Sequence, residues 1–283
     1  MRPEEALEHA ERHGPSDDTR VFACKNPFYA YSYAYWVDQC PRDDARKAAC
    51  EDPFFAYHYA RDVDKCPRED TREATCKDPQ GAYNYARDVD KCPRNDTRIA
   101  ACKYPPAAYC YARDIDKCPR NNTRKTACKN PKCAYYYAKY VDKKPRNDIR
   151  KAACKNPYWA FEYAKDIDKY PRENTRKAVC KSIYYAYNYA YDYALEVDKK
   201  PRDDTRKAAC KDPEYAYLYA KDVDKKPHEN TRKSVCKNPK YAYMYAKNID
   251  KDFREDTWKA VKNTEFEEEY NQFLNQIEKN KII

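Results

Sequence analysis

Fifteen cysteines, four histidines and many paired carboxylates are the side chains here that could do chemistry, and their spacing argues against most of it. The cysteine count is odd and no CxxC occurs, the spacing a zinc site or a dithiol would use. Nine of them (Cys24, Cys50, Cys76, Cys102, Cys128, Cys154, Cys180, Cys210, Cys236) recur in one frame in a helical context such as AAC, where a free thiol behaves as a small apolar group. Cys40, Cys66, Cys92 and Cys118 share a second frame that later holds Lys144, Tyr170, Lys200 and Lys226. A position that accepts lysine or tyrosine is not an obligatory ligand. Structural thiols are expected, with no metal and no cofactor, in a reducing compartment such as the cytosol.

Catalysis finds equally little support. His9, His13, His58 and His228 have no matching nucleophile, and two glycines, Gly14 and Gly81, cannot build a phosphate-cradling loop. The carboxylate pairs recur throughout the chain, whereas an active site is normally a single place. The expectation is a protein that is not an enzyme. The formal net charge of +10 comes from 57 bases against 47 acids, which permits contact with phosphate or acidic protein surfaces without requiring it. No signal-peptide core or membrane-spanning run is present, so no membrane role is expected.

What positions these side chains is a repeat. Pro15, Pro41, Pro67, Pro93, Pro119, Pro145, Pro171, Pro201 and Pro227 stand 26 residues apart, except for 30 between Pro171 and Pro201, and Phe253 opens a degenerate tenth copy. A period of this size signals a stacked array. Each repeat reads as two helices. The first is short, of the form TRKAACK, with its cap assigned to an Asp or Asn: Asp18, Asp44, Asp70, Asp96, Asn122, Asp148, Asn174, Asp204, Asn230. The second starts at Asp or Asn followed by Pro, as at Asp52, Asp78, Asn130, Asp212 and Asn238, and runs through YAYLYAKDVDK. Ala216, Tyr219, Ala220 and Val223 recur at i, i+3, i+4 and i+7, an apolar stripe that one helix pair cannot bury alone. The spacing predicts an all-α fold, an α-solenoid of about nine helix-turn-helix repeats over 15–262, with capping helices at 1–14 and 263–283. The seventh repeat is assigned four extra residues, Tyr191 to Ala194, about one helical turn.

The segment Ala216-Tyr217-Leu218-Tyr219-Ala220, and the alternation around it, resembles the short helical repeats with "AL.YAS"-type second helices of an uncharacterised family seen in large DNA viruses and some protists. The resemblance covers nearly the whole chain, with Tyr and Cys here where that family uses Leu and Val. It implies an α-solenoid and carries no activity.

Comparing the repeats sorts positions by how much they vary. Arg20, Arg46, Arg72, Arg98, Arg124, Arg150, Arg176, Arg206 and Arg232 never vary, and Asp38, Asp64, Asp90, Asp116, Asp142, Asp168, Asp198, Asp224 and Asp250 are their expected ion-pair partners. Tyr33, Tyr59, Tyr85, Tyr111, Tyr137, Tyr163, Tyr189, Tyr219 and Tyr245 are assigned to the core stripe. A parallel set, Tyr31, Tyr57, Tyr83, Tyr109, Tyr135, Phe161, Tyr187, Tyr217 and Tyr243, becomes Phe once, which marks its hydroxyl as dispensable.

Two sets remain for binding. The variable stripe of the second helix is the candidate partner-binding surface: Phe28, Ser32, Phe54, His58, Gln80, Asn84, Pro106, Cys110, Lys132, Tyr136, Tyr158, Glu162, Tyr184, Asn188, Glu214, Leu218, Lys240 and Met244, at i and i+4 on successive helices. Second helices of such pairs commonly line the concave face of a solenoid, and side chains that differ in every repeat suit an extended protein or peptide; drift on a solvated face is the competing explanation. Arg42, Arg68, Arg94, Arg120, Arg146, Arg172 and Arg202, beside the inter-repeat prolines, are the candidate phosphate contacts. The leading reading is a binding scaffold for a protein or peptide. Nucleic-acid binding through the basic ladders and sequestration of a nucleotide-like ligand are the alternatives.

Overall fold

The computed structural model describes residues 1–181 and 186–281. Among them there are twenty-one α-helices, nine π-helical segments and no strand, an all-α solenoid of helix pairs. None of these helices is long and apolar enough to cross a membrane. The chain forms two compact units, Met1–Lys143 and Lys144–Ile283.

In the first unit the opening helix Pro3–His13 packs Ala10 and Leu7 against Ala23 and Tyr33 of the first repeat. Five helix pairs follow. Their first helices include Asp17–Ala23, Asp43–Ala49 and Glu69–Thr75; their second helices are Pro27–Ser32, Pro53–His58, Pro79–Tyr85, Pro105–Tyr111 and Pro131–Tyr137, and successive second helices lie against one another. Fully buried alanines such as Ala30, Ala34, Ala56 and Ala60 allow that close approach. The second unit repeats the scheme with second helices Pro157–Tyr163, Ala186–Asp192, Pro213–Leu218 and Pro239–Tyr245. Its last short helix, Glu255–Val261, is followed by Glu267–Lys281 in place of a second helix.

The second-helix caps fall as the sequence indicates: Asp52, Asp78, Asn130, Asp212 and Asn238 accept backbone N–H groups, with Pro at the next position. The first-helix caps do not. The N-cap of helix Asp43–Ala49 is Arg42, which makes no side-chain cap bond, and Asp44 lies two residues further in. The cause is the invariant tyrosine. Tyr59 Oη accepts the Arg42 N–H at 2.8 Å and donates to the Arg42 carbonyl at 2.9 Å. The same pair of bonds ties Arg68 to Tyr85, Arg94 to Tyr111, Arg120 to Tyr137, Arg146 to Tyr163, Arg202 to Tyr219 and His228 to Tyr245. A threonine hydroxyl joins it at 2.6–2.9 Å wherever the repeat supplies one, from Thr19–Tyr33 to Thr231–Tyr245. These tyrosines are fully buried, and a phenol without partners there would be costly.

This bonding corrects the register of the seventh repeat. Tyr193, not Tyr189, is fully buried and bonds Thr175 and the Arg172 backbone. Tyr189 is only half-buried. The four additional residues therefore enter ahead of Ala190, not at Tyr191 to Ala194. At the far end Tyr270 takes the same place, fully buried and 2.9 Å from Thr257 Oγ1, so the closing helix completes the ladder.

A second departure is the last turn of each second helix, which widens from α to π, as at Tyr59–Asp64 and Tyr219–Asp224. Lys169 and Lys251 show the i−5 bonds, to Ala164 and Ala246. The wide turn changes which residues share a face, and the Asp64 side chain is fully buried beside Arg46. Gln39 or a lysine, from Lys65 to Lys251, closes each π turn at φ 52–59°, in the left-handed region.

Candidate partner-binding face

The invariant charges are consumed by the stack. Arg46 reaches its own repeat's Asp64 at 3.3 Å and the next repeat's Asp70 at 2.9 Å. Arg20 and Arg72 in the first unit, and Arg176 in the second, do the same with Asp44, Asp96 and Asp204. Where the next repeat offers Asn122, Asn174 or Asn230, Arg98, Arg150 and Arg206 close on their own Asp116, Asp168 and Asp224 with N–O distances of 3.1 Å or less. Arg232 also closes on its own Asp250, at 2.6 Å, although Asp256 follows. Arg124 and Asp142 stand 3.7 Å apart. Of the expected first-helix caps, Asp44, Asp70, Asp96 and Asp204 are thus inter-repeat ion-pair acceptors.

Sharing leaves a trace. Asp64 Oδ2, Asp90 Oδ2 and Asp198 Oδ2 are buried without a hydrogen-bond partner, and burial pushes the carboxyls of Asp64, Asp90 and Asp198 up from their ordinary values.

The candidate phosphate contacts sit against the same carboxylates. Arg42, Arg68, Arg94, Arg120 and Arg202 lie 3.2–3.9 Å from Asp38, Asp64, Asp90, Asp116 and Asp198. Arg146 pairs with Asp148 at 3.3 Å, and Arg172 stacks on Tyr170 at 4.4 Å. Their side chains remain about half exposed where they flank Asp64 and Asp90, at 44% for both Arg68 and Arg94.

The second tyrosine set is a cross-repeat brace. Tyr31, Tyr57 and Tyr83 donate to Asp62, Asp88 and Asp114 of the following repeat at 3.0, 2.6 and 2.7 Å, and Tyr191 donates to Asp222 at 2.8 Å. The hydroxyl is therefore used in these repeats. Where Phe161 lacks it, Lys165 bridges to the longer Glu196 at 2.5 Å. Arg61, Arg87 and Arg113 lie over the rings of Tyr57, Tyr83 and Tyr109 at 5.0–5.1 Å and bond the adjacent Asp62, Asp88 and Asp114.

The cysteines are free thiols. Burial pushes Cys24 and Cys76 up to about 11 and Cys50 and Cys210 up to about 12, which keeps them protonated and unreactive.

The variable stripe falls on the second helices. Phe28, Phe54, Gln80, Lys132, Tyr158, Glu214 and Lys240 are exposed; His58, Asn84, Pro106, Cys110, Tyr136, Glu162, Leu218 and Met244 are half-buried. Ser32 is buried, at 4% exposure, and does not reach the surface. Tyr184 lies outside the described residues. Asn188 is half-buried, but the corrected register gives its place in the stripe to Asp192.

In the first unit the stripe borders a groove of about 710 Å³ between the second helices of repeats two and three. Phe54, Tyr57, His58 and Arg61 line one side; Gln80, Gly81, Asn84 and Arg87 line the other. Arg61 Nη2 lies 2.9 Å from His58 Nδ1, and Asp62 Oδ2 lies 3.4 Å from the same nitrogen. Gly81 is not among the binding residues expected from the sequence. The signal was there: its position holds Tyr29, Phe55, Trp159, Tyr215 and Tyr241 in sister repeats. No protein-family model, curated protein or solved structure matches this chain.

Proposed function

We propose that the chain is a non-enzymatic binding scaffold whose second-helix face docks a protein or peptide. One observation carries this reading. Invariant side chains are buried in caps and ion pairs, while exposed positions on neighbouring second helices vary along each unit: Phe54, Gln80 and Lys132 in one, Tyr158, Glu214 and Lys240 in the other. A surface built of parallel, chemically distinct stripes suits an extended partner that reads several repeats at once. The basic ladders support phosphate binding less well, because Arg42, Arg68, Arg94, Arg120, Arg146 and Arg202 already face carboxylates.

The test is site-directed photo-crosslinking in cells of the native host. A photoreactive residue at Gln80, Lys132 or Lys240 should crosslink one discrete partner, and the same residue at Glu73 or Lys125 on first helices should not. Equal crosslinking from both faces contradicts the reading. A gel shift that falls steeply with salt would favour nucleic acid instead.

A further inference from the structure

In the sister repeats, the ring at the position of Gly81 packs against the preceding repeat. Phe55 lies 6.3 Å from Tyr31 and 5.7 Å from Phe28; Tyr215 lies 6.0 Å from Tyr191; Tyr241 lies 6.3 Å from Tyr217. Tyr189, by the corrected register, meets Tyr158 at 5.7 Å. The corresponding partners of residue 81 are Tyr57 and Phe54. Gly81 offers them no ring, Phe54 stands 62% exposed, and the groove opens over the missing side chain. A Cβ on residue 81 would meet Thr75 Cγ2 at 3.1 Å; most sisters carry a smaller Ala there, as at Ala49 and Ala101, and Val235 stands there in the repeat that carries Tyr241. Ala107 and Cys133, the other small residues at this position, are themselves buried.

We propose that this groove is an anchor site for an aromatic side chain, Phe, Tyr or Trp, of a linear partner segment, which supplies in trans the ring that Gly81 omits. The inference rests on the second-helix face being a docking face. The molecule itself furnishes the template, since five sister contacts show the geometry in which a ring seats between two second helices. Offset and edge-on ring pairs at 4.5–7 Å contribute about 0.5–1.5 kcal/mol beyond the area they bury. A volume near 710 Å³ exceeds one ring and leaves room for flanking backbone. Asp52 and Asp78 at one end and Arg61 and Arg87 at the other give that backbone polar contacts.

The four histidines make the test simple, because His58 lines the groove and His9, His13 and His228 do not. Full-length protein labelled with ¹³C at histidine is titrated with N-acetylphenylalaninamide and, separately, N-acetylleucinamide. The aromatic probe should shift the His58 resonances saturably, with the other three unmoved, and the leucine probe should bind about tenfold more weakly or not at all, a difference of about 1.4 kcal/mol. The double variant Thr75→Ala/Gly81→Phe restores the sister pairing; it should leave His9, His13 and His228 in place and abolish saturation at His58. No saturable shift at His58, equal binding of the leucine probe, or retained binding by the double variant overturns the anchor site. If crosslinks stay confined to the stripe while the groove ignores the probe, the anchor alone falls and the docking face stands.

Discussion

Tyr85 Oη and Thr71 Oγ1 meet at 2.9 Å in the fully buried interior of the third repeat, and the same hydroxyl holds the Arg68 backbone N–H and C=O at 3.0 and 2.9 Å. One phenol thus ends the loop, starts the first helix and joins it to the second.

Tyr85→Phe keeps the ring and removes all three bonds, leaving a buried N–H unpaired. It should cost about 1–3 kcal/mol in urea unfolding. Tyr59→Phe should cost less, because Ala45 stands where Thr71 does and one bond is already missing. Equal losses at the two sites would contradict the hydroxyl's role as cap.

The arginine ladder makes a paired prediction. Arg150→Ala leaves Asp168 buried and unpaired, and should cost about 3–5 kcal/mol. Asp70→Asn should be much milder, about 1 kcal/mol or less. It converts the second repeat to the arrangement already seen at Arg98 with Asn122, in which arginine closes on its own aspartate. Thermal melts of both variants check the contrast; an Asp70→Asn loss as large as that of Arg150→Ala would sink the switch.

Two groups of aspartates respond oppositely to pH. The Arg113 guanidinium, with smaller help from Tyr83, holds the Asp114 carboxyl below its ordinary value. That stability is present above the unfolded value near about 3.9 and is lost as pH falls through the lower folded value. Burial holds Asp90 above its ordinary value. Its contribution favours the fold below the unfolded value and fades as pH rises through the folded one. As pH rises from about 4, the unfolded value, through the raised folded one, Asp90→Asn should therefore gain stability relative to the parent. Asp114→Asn should lose ground as pH rises through the acid range. Urea titrations across that range read both signs, and a pH-independent difference for either variant contradicts its assignment.

The repeat, the helix pairs, the second-helix caps and the Arg–Asp partnership were legible because each depends on residue type at fixed spacing, as with Asp52-Pro53 and Arg46 with Asp64. Three features were not. A cap made by a side chain 17 residues downstream, as Tyr59 caps Arg42, has no local signature, so Asp44 looked like the cap. The π turn keeps the same residues as an α turn and changes only which face Asp64 occupies. In the seventh repeat, YAYNYAYDYA offers two registers of equal periodicity, and only the hydroxyl's partners choose Tyr193. On the stripe, exposure at Phe54 or Lys240 followed from helical phase, whereas the burial of Ser32 and the groove at Gly81 depend on neighbouring helices that one repeat's periodicity does not describe.

The division between invariant stack and variable face is tested most directly by exchanging the stripe of two repeats within one unit. Placing Lys and Tyr at Phe54 and His58, and Phe and His at Lys132 and Tyr136, keeps composition, net charge and every buried tyrosine, arginine and aspartate. The measurement is the affinity for the crosslinked partner alongside the melting temperature. The account predicts an unchanged melt, within about 0.5 kcal/mol, and an affinity lowered at least tenfold, about 1.4 kcal/mol. Parental affinity in the exchanged protein would contradict it.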